Sequence, residues 1–180
     1  MSSVKRRAQR LIVRLDAQER NVLGGLLGAV RSLLAPDDAD SGDSDPLAAL
    51  VGMSQSPVEA PDDPVLLRLL PDAYGDPEQA AEFRRLTDSE LRTGKTAAID
   101  RVLADLAEER IELDLEEGVG LWLQAVNDVR LLLGTRLDVT EDWADTAETL
   151  PPDDPRLTLY AFYDWLSVLQ ETLVLSAMND

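Results

Sequence analysis

Cysteine and histidine are both missing from the 180 residues, and only two lysines, Lys5 and Lys95, stand beside fifteen arginines. Without thiols the chain can form no disulfide, thiolate nucleophile, iron–sulfur cluster or sulfur-based redox pair. Without imidazoles it lacks the commonest general base and the commonest metal ligand. Two lysines leave almost nothing for Schiff-base chemistry. Catalysis would have to rest on carboxylates, hydroxyls or a carboxylate-bound metal, and no cofactor is expected. There is no apolar stretch behind the basic start and no run approaching about 18 apolar residues, so neither a signal peptide nor a membrane span is expected and the cytoplasm is the expected compartment.

Acid is abundant. The formal net charge is −18, and it is unevenly spread. Residues 1–14 carry Lys5, Arg6, Arg7, Arg10 and Arg14 with no acid, so twelve basic and 35 acidic residues leave −23 for the remainder. Such a body repels a phosphate backbone and favours basic protein partners. The N-terminal arm, with Lys5, Arg6, Arg7 and Arg10, is the one element suited to nucleic acid; its plainer reading is a solubilising start to a first strand.

With 44% apolar residues the chain can bury one substantial core, and one domain is expected. Residues 1–15 read as the basic arm followed by a short strand, in which Leu11, Val13 and Leu15 alternate with Ile12 and Arg14. Asp16 with Glu19 three residues on forms an aspartate-type capping box, opening a helix over 16–35 whose Val22, Leu23, Leu26, Leu27, Val30, Leu33 and Leu34 share a face. Pro36 ends it. Residues 36–64 hold five prolines and eight acids with no Lys or Arg, a composition expected to form a mobile acidic loop in which LAALVGM offers a transient helix. Its DxD spacings fail as an EF-hand, since Gly42 stands at the fifth position counted from Asp38 and no Glu at the twelfth.

The main helical region is expected over 65–178. A short apolar run, Val65 to Leu70, closes at Pro71. Asp76 caps a helix with Pro77 at its first position, and Thr87-Asp88 with Gly94 leave one bent helix or two both open. RIELDL, 110–115, is the second strand and can pair with 11–15. A helix follows from about Glu116 to Leu133, with Gly134 placed just past its end. Thr140 can cap a short turn, and Pro155 starts a last helix reaching close to the C-terminus. The expected fold is mainly α, a helical bundle-like single domain with at most a small two-stranded sheet.

Motifs that carry chemistry are scarce. TGKT, 93–96, resembles the end of a P-loop, but the glycine required five residues before Gly94 is Ser89 and no strand precedes it. Arg84, Arg85, Arg92 and Lys95 form the one basic cluster outside the arm. Glu82, Asp88, Glu90 and Asp100 lie close by in sequence, so helix-surface ion pairs account for it better than a phosphate site does.

A sharper feature is an internal echo. WLQAVNDVRLLL at 122 and WLSVLQETLVLS at 165 align without gaps, each placing an amide and an acid five and six residues after Trp. On a helical projection Trp122, Val126, Val129 and Leu133 form one stripe, while Asn127 and Asp128 fall about 140° and 240° from Trp122. Asn127, Asp128, Arg130, Gln170 and Glu171 therefore form either a polar edge that stitches two Trp-packed helices together or a groove for a basic partner. The stitching reading is favoured, because helix-edge polar groups usually satisfy one another. Leu131 among these polar residues implies that something covers the far side as well.

VLLRLLPDAYGDPEQAAEFRRLTDSELRTGK, WLQAVNDVRLLLGTRLDVTED and YDWLSVLQETLV together resemble the actinobacterial AosR family of oxidative-stress regulators, over most of the chain outside 36–64. The resemblance implies a mainly helical cytoplasmic protein regulating transcription in the oxidative-stress response, encoded near sulfur metabolism and a Clp-protease adaptor. It also implies a redox-sensing Cys pair, which this chain does not possess; Met53 and Met178 offer methionine oxidation in its place. The combined expectation is a non-enzymatic regulator whose acidic helical surface engages a basic protein such as a sigma factor, with the arm as the sole point of DNA contact. An adaptor for Clp-type proteolysis is the alternative from a different class.

Overall fold

The computed structural model describes residues 2–35 and 61–178. The acidic segment 36–60, with LAALVGM inside it, lies outside the described residues. Six helices and one antiparallel sheet make up the described part: β1 (Ser3–Arg7), β2 (Arg10–Arg14), α1 (Ala17–Leu34), α2 (Pro64–Leu69), α3 (Pro77–Ala107), β3 (Ile111–Asp114), α4 (Gly118–Arg136), α5 (Trp143–Glu148) and α6 (Arg156–Met178). The mainly helical expectation holds, but the sheet has three strands in the order β1-β2-β3 rather than two.

The additional strand is the basic arm. Its charge density conceals an ordinary alternation in SVKRR: Val4 pairs with Val13 and Arg6 with Leu11 on the core face, whereas Lys5 pairs with Ile12 and Arg7 with Arg10 on the outer face. A two-residue turn, Ala8-Gln9, joins β1 to β2, and Ala8 takes a φ of 52° there, a conformation costly for a residue with a Cβ. The expected pairing of the second strand with 11–15 is present, with Leu11 opposite Leu113 and Val13 opposite Ile111, all four buried.

Asp16 caps α1 as its sequence implies. The Asp16 carboxylate accepts from the Glu19 amide at 2.9 Å, and Glu19 accepts from the Asp16 amide at 2.8 Å. The other Glu19 oxygen accepts from the Ser2 amide at 3.0 Å, which ties the N-terminus to α1. α3 is one continuous 31-residue helix, so neither Thr87-Asp88 nor Gly94 breaks it. Thr87 and Thr93 bond back to the carbonyls of Phe83 and Ser89, satisfying hydroxyls that would otherwise compete with the helix.

α3 ends without a basic residue in its last turn. Arg20 of α1 supplies the missing donors: its guanidinium bonds the carbonyls of Leu106 (2.8 Å), Glu108 (2.7 Å) and Glu109 (3.2 Å) as well as Leu15 (3.2 Å). One side chain thereby locks α1, the end of α3 and the start of β3 together.

α4 is the axis of the molecule, packing against α1, α2, α3, α6 and β3. Its start is held by Asp114, whose carboxylate accepts from the amides of Glu117 and Gly118. These bonds hold Asp114 below the ordinary carboxylate range. Gly118 leaves room for that carboxylate, since a Cβ there would sit 2.9 Å from Asp114 Oδ2 and push it from its place. At the other end α4 outruns the expected stop at Gly134 and continues to Arg136. Asp138, at φ 50°, takes the left-handed position instead, with Val139 N–H bonding the Gly134 carbonyl (2.9 Å) and Asp138 N–H that of Thr135 (3.3 Å). Gly134 therefore lies within the last turn. Thr140 contributes its carbonyl, not its hydroxyl, to the turn before α5, accepting from the Trp143 amide.

Candidate functional site

The two echoed helices are not equivalent. Trp122 on α4 is fully buried, its indole N–H donating to Asp105 at 2.8 Å, and Val126, Val129 and Leu133 are buried beside it as the projection requires. Trp165 on α6 is only half-buried and donates to Ser2 Oγ at 3.2 Å, while Tyr160, Leu166, Leu169 and Leu173 form the apolar face of that helix. The expected pair of matching Trp stripes is thus corrected. α4 is surrounded and needs apolar or neutralised groups on all sides; α6 lies at the periphery and needs only one apolar face.

The surrounded position of α4 decides the fate of Asp128. Its carboxylate, 1% exposed, accepts from Lys95 of α3 at 2.6 Å, and its second oxygen has no hydrogen-bond partner. Burial pushes the Asp128 carboxyl above its usual range, and the Lys95 ammonium offsets only part of that. This is a stitch between α3 and α4. Lys95, the P-loop look-alike, serves there and not at a phosphate.

Arg130, two residues on, is half-buried between α4 and α6. Its Nε donates to Ser167 Oγ (3.1 Å) and its Nη1 to Gln170 Oε1 (2.9 Å), and the guanidinium lies 5.4 Å from the centroid of the Tyr163 ring. The polar edge therefore does join α4 to α6, through Arg130 and Gln170. Glu171 stands exposed on the outer face of α6 and takes no part. Asn127 is half-buried, bonds to nothing among the described residues, and lines a concavity of about 140 Å³ with Arg68, Arg130, Leu131, Gly134, Thr135, Val139 and Tyr163. Neither Arg68 nor its place beside Asn127 was legible in the sequence, since α2 reaches this edge only through the tertiary fold.

The basic cluster on α3 resolves into pairs. Arg84 bonds Asp72, Arg85 bonds Glu82 (2.8 Å), Arg92 bonds Asp88 (2.6 Å) and the Leu34 carbonyl (3.2 Å), and Lys95 bonds Asp128. Only Arg85 and Arg92 form the expected pairs along the helix, with Glu82 and Asp88; Arg84 is buried against Asp72 ahead of the helix and Lys95 against Asp128 of α4, acids that proximity in sequence did not offer.

The arm divides between two faces of the sheet. Arg6 turns inward, and its Nη1 donates to the Ala177 carbonyl at 2.9 Å in the last turn of α6, a favourable place for a cation. Arg10 pairs with Glu112 at 3.0 Å. Lys5 and Arg7 remain exposed on the outer face, where they line a shallow depression with Arg14, Arg110, Ser3 and Ile12. Lys5, Arg7 and Arg14 have no partner among the described residues. Arg14 belongs to this set on geometry, although it lies beyond the arm residues singled out from sequence.

Acid collects elsewhere. Residues 138–154, around α5, hold seven acids and no base. Asp138, Glu141, Asp142, Asp145, Glu148 and Asp153 are all exposed, and among the described residues the one ion pair in the stretch joins Asp154 to Arg156. Trp143 fastens the segment to α6, stacked on Tyr160 with centroids 5.8 Å apart and edge-on to Tyr163 at 5.6 Å. Among the described residues no group of acids is arranged to hold a metal ion, and no helix is long and apolar enough to cross a membrane.

Comparison with known proteins finds similarity over most of the chain. The family described as a domain of unknown function (DUF2017) matches residues 1–177. The oxidative stress regulator AosR of Mycobacterium tuberculosis (strain ATCC 25618 / H37Rv) is 34% identical over 181 residues, covering 92% of this chain and 81% of the relative. The protein of the same description from Mycobacterium bovis matches to the same extent. The putative oxidative stress regulator AosR of Mycobacterium leprae is 34% identical over 172 residues, covering 87% of this chain and 77% of its own length. No solved structure matches.

Proposed function

The chain belongs to the DUF2017 family, and from that premise we propose that it is a non-enzymatic cytoplasmic regulator of transcription in the oxidative-stress response. It acts by engaging a basic protein partner such as a sigma factor. The descriptions of its relatives as oxidative stress regulators support the first part. The second part is carried by one observation, the separation of charge: Arg92, Lys95 and Arg101 pair with Asp88, Asp128 and Asp105, whereas the exposed acids around α5 have no basic partner among the described residues apart from the Asp154–Arg156 pair. A surface of that sign steers a basic partner into contact and sets its orientation.

The outer sheet face, with Lys5, Arg7 and Arg14 uncommitted, is the part that touches nucleic acid once the partner has brought the protein there. Three cations against a body this acidic serve as an auxiliary contact and not as an anchor. In this reading the redox signal is sensed by the partner, since the chain itself has no cysteine.

The test is retention of purified sigma factors and core RNA polymerase on the immobilised protein. A parallel variant has Glu141, Asp142, Asp145 and Glu148 replaced by their amides. A transcription component is retained by the protein and released by the variant. Retention of a Clp ATPase and of no transcription component would move the reading to proteolysis; retention of neither would end it.

A further inference from the structure

The buried and half-buried cations among the described residues lie against carboxylates or, as Arg6 and Arg20 do, against backbone carbonyls, and Arg130 does neither. Arg84, Arg92, Lys95 and Arg101 each lie against a carboxylate, from Asp72, Asp88, Asp128 and Asp105 respectively. With 35 acids available, a partly buried arginine has no shortage of counter-charges. Arg130 nevertheless pairs with none among the described residues. It is held by a hydroxyl, an amide oxygen and an aromatic ring, groups that fix a guanidinium in place without neutralising it.

Three further observations meet at the same place. Arg68, from α2, lines the same concavity and has no partner among the described residues. The Asn127 amide lines it too, half-buried with its donors and its acceptor unused by the described residues. Gly134 leaves that wall without a side chain, where a Cβ would stand 3.5 Å from Tyr163 Cε2. Leu131 and Val139 supply an apolar side. About 140 Å³ is roughly ten times the space that one water needs.

We infer that this concavity between α2, α4 and α6 is a binding site for a small oxyanion, a carboxylate or phosphate group carried on a compact body. Two of the five guanidinium donors of Arg130 are committed, to Ser167 and Gln170, and the others are available to the anion. Arg68 supplies the second positive charge from α2. The Asn127 amide donates to a further oxygen, and Leu131 and Val139 flank the body of the ligand. Bidentate contact from a pre-oriented arginine is the usual way a protein recognises such groups. Occupancy would fasten α2 to the α4–α6 pair, so a metabolite could set the stiffness of this end of the molecule.

The experiment is a titration of the full chain with inorganic phosphate and, separately, with succinate, each against sodium chloride at matched ionic strength. The readout is the NMR signals of the Asn127 side-chain amide and the Arg130 Nε–H. Saturable shifts with either probe, absent with chloride, are expected; phosphate alone marks a phosphoryl ligand and succinate alone a carboxylate. Arg68→Ala, which removes no hydrogen bond or ion pair among the described residues, should weaken binding about tenfold, the loss of one charge-assisted contact. Asn127→Asp, which sets a carboxylate in the site, should abolish it. No saturation by either probe, or saturation that Arg68→Ala leaves unchanged, would overturn the assignment. Binding of neither probe together with shifts on adding a partner protein would also overturn it, since an acidic side chain would then be the occupant.

Discussion

Replacing Asp128 by alanine should be among the most damaging single substitutions of a polar residue. The carboxylate is 1% exposed, and its partner Lys95 is 16% exposed on α3. Removing one member of a buried pair leaves the other uncompensated, at about 3–5 kcal/mol. Lys95 retains some access to water and can extend toward it, so about 3 kcal/mol is expected here, out of a total of about 5–15 kcal/mol for an ordinary domain. Asp128→Asn keeps an oxygen for Lys95 and removes the buried negative charge, so about 1 kcal/mol is expected.

The pH dependence has a defined sign. Burial raises the Asp128 carboxyl in the folded state, so the folded chain binds a proton there over a range where the unfolded chain, titrating near 3.8, has released it. The contribution of Asp128 to wild-type stability is therefore greatest below that value and declines as pH rises through the raised one. Urea unfolding followed by tryptophan fluorescence, with wild type and Asp128→Asn compared across that range, isolates the effect from other carboxylates. The advantage of wild type over Asp128→Asn should shrink as pH rises. An advantage that grows over this range, or an Asp128→Ala cost below about 1 kcal/mol, would show that the carboxylate is not held as described.

Other perturbations follow from the same structure. Arg20→Ala removes donors to four carbonyls and should cost about 2 kcal/mol, with hydrogen exchange accelerated first at the end of α3 and the start of β3; uniform acceleration would contradict the local account. Ala8→Gly relieves a φ of 52° in the hairpin turn and should stabilise by about 0.5–1 kcal/mol in the same urea assay, whereas destabilisation would argue against that turn. Replacing Lys5, Arg7 and Arg14 together by Glu should leave the melting temperature nearly unchanged, since none has a partner among the described residues, and should remove any association with DNA in a gel-shift assay of the partner complex. Unaltered association would free the sheet of that role.

The helices and their caps were legible because the signals are local. Asp16 with Glu19 and Asp76 with Pro77 mark helix starts through short-range hydrogen bonds that any context preserves. β1 was less legible because charged side chains obscure alternation when only one face of a strand meets the core. The overrun of α4 has a similar origin: glycine is the usual residue beyond a helix end, yet Asp138 tolerates the left-handed conformation and took the position.

The polar edge was half legible. Its function as stitching between α4 and α6 follows from helix periodicity, and Arg130 with Gln170 performs it. Periodicity on one helix cannot tell how many neighbours surround it, so Asp128 read as an edge residue although α3 buries it. The same limit hid Arg68 and Arg20, which act on elements distant in sequence. Charge was legible as a total but not as a pattern, because which acids pair with the α3 cations and which stay exposed around α5 depends on contacts between elements distant in sequence.

Charge-steered docking on a basic partner is most directly examined by the salt dependence of binding between the purified protein and the sigma factor it retains. Affinity should fall steeply as salt rises, and the amide variant at Glu141, Asp142, Asp145 and Glu148 should bind more weakly with a flatter slope. Binding that ignores salt, or a variant that binds with the affinity and slope of the parent, would contradict the proposed role of the acidic surface.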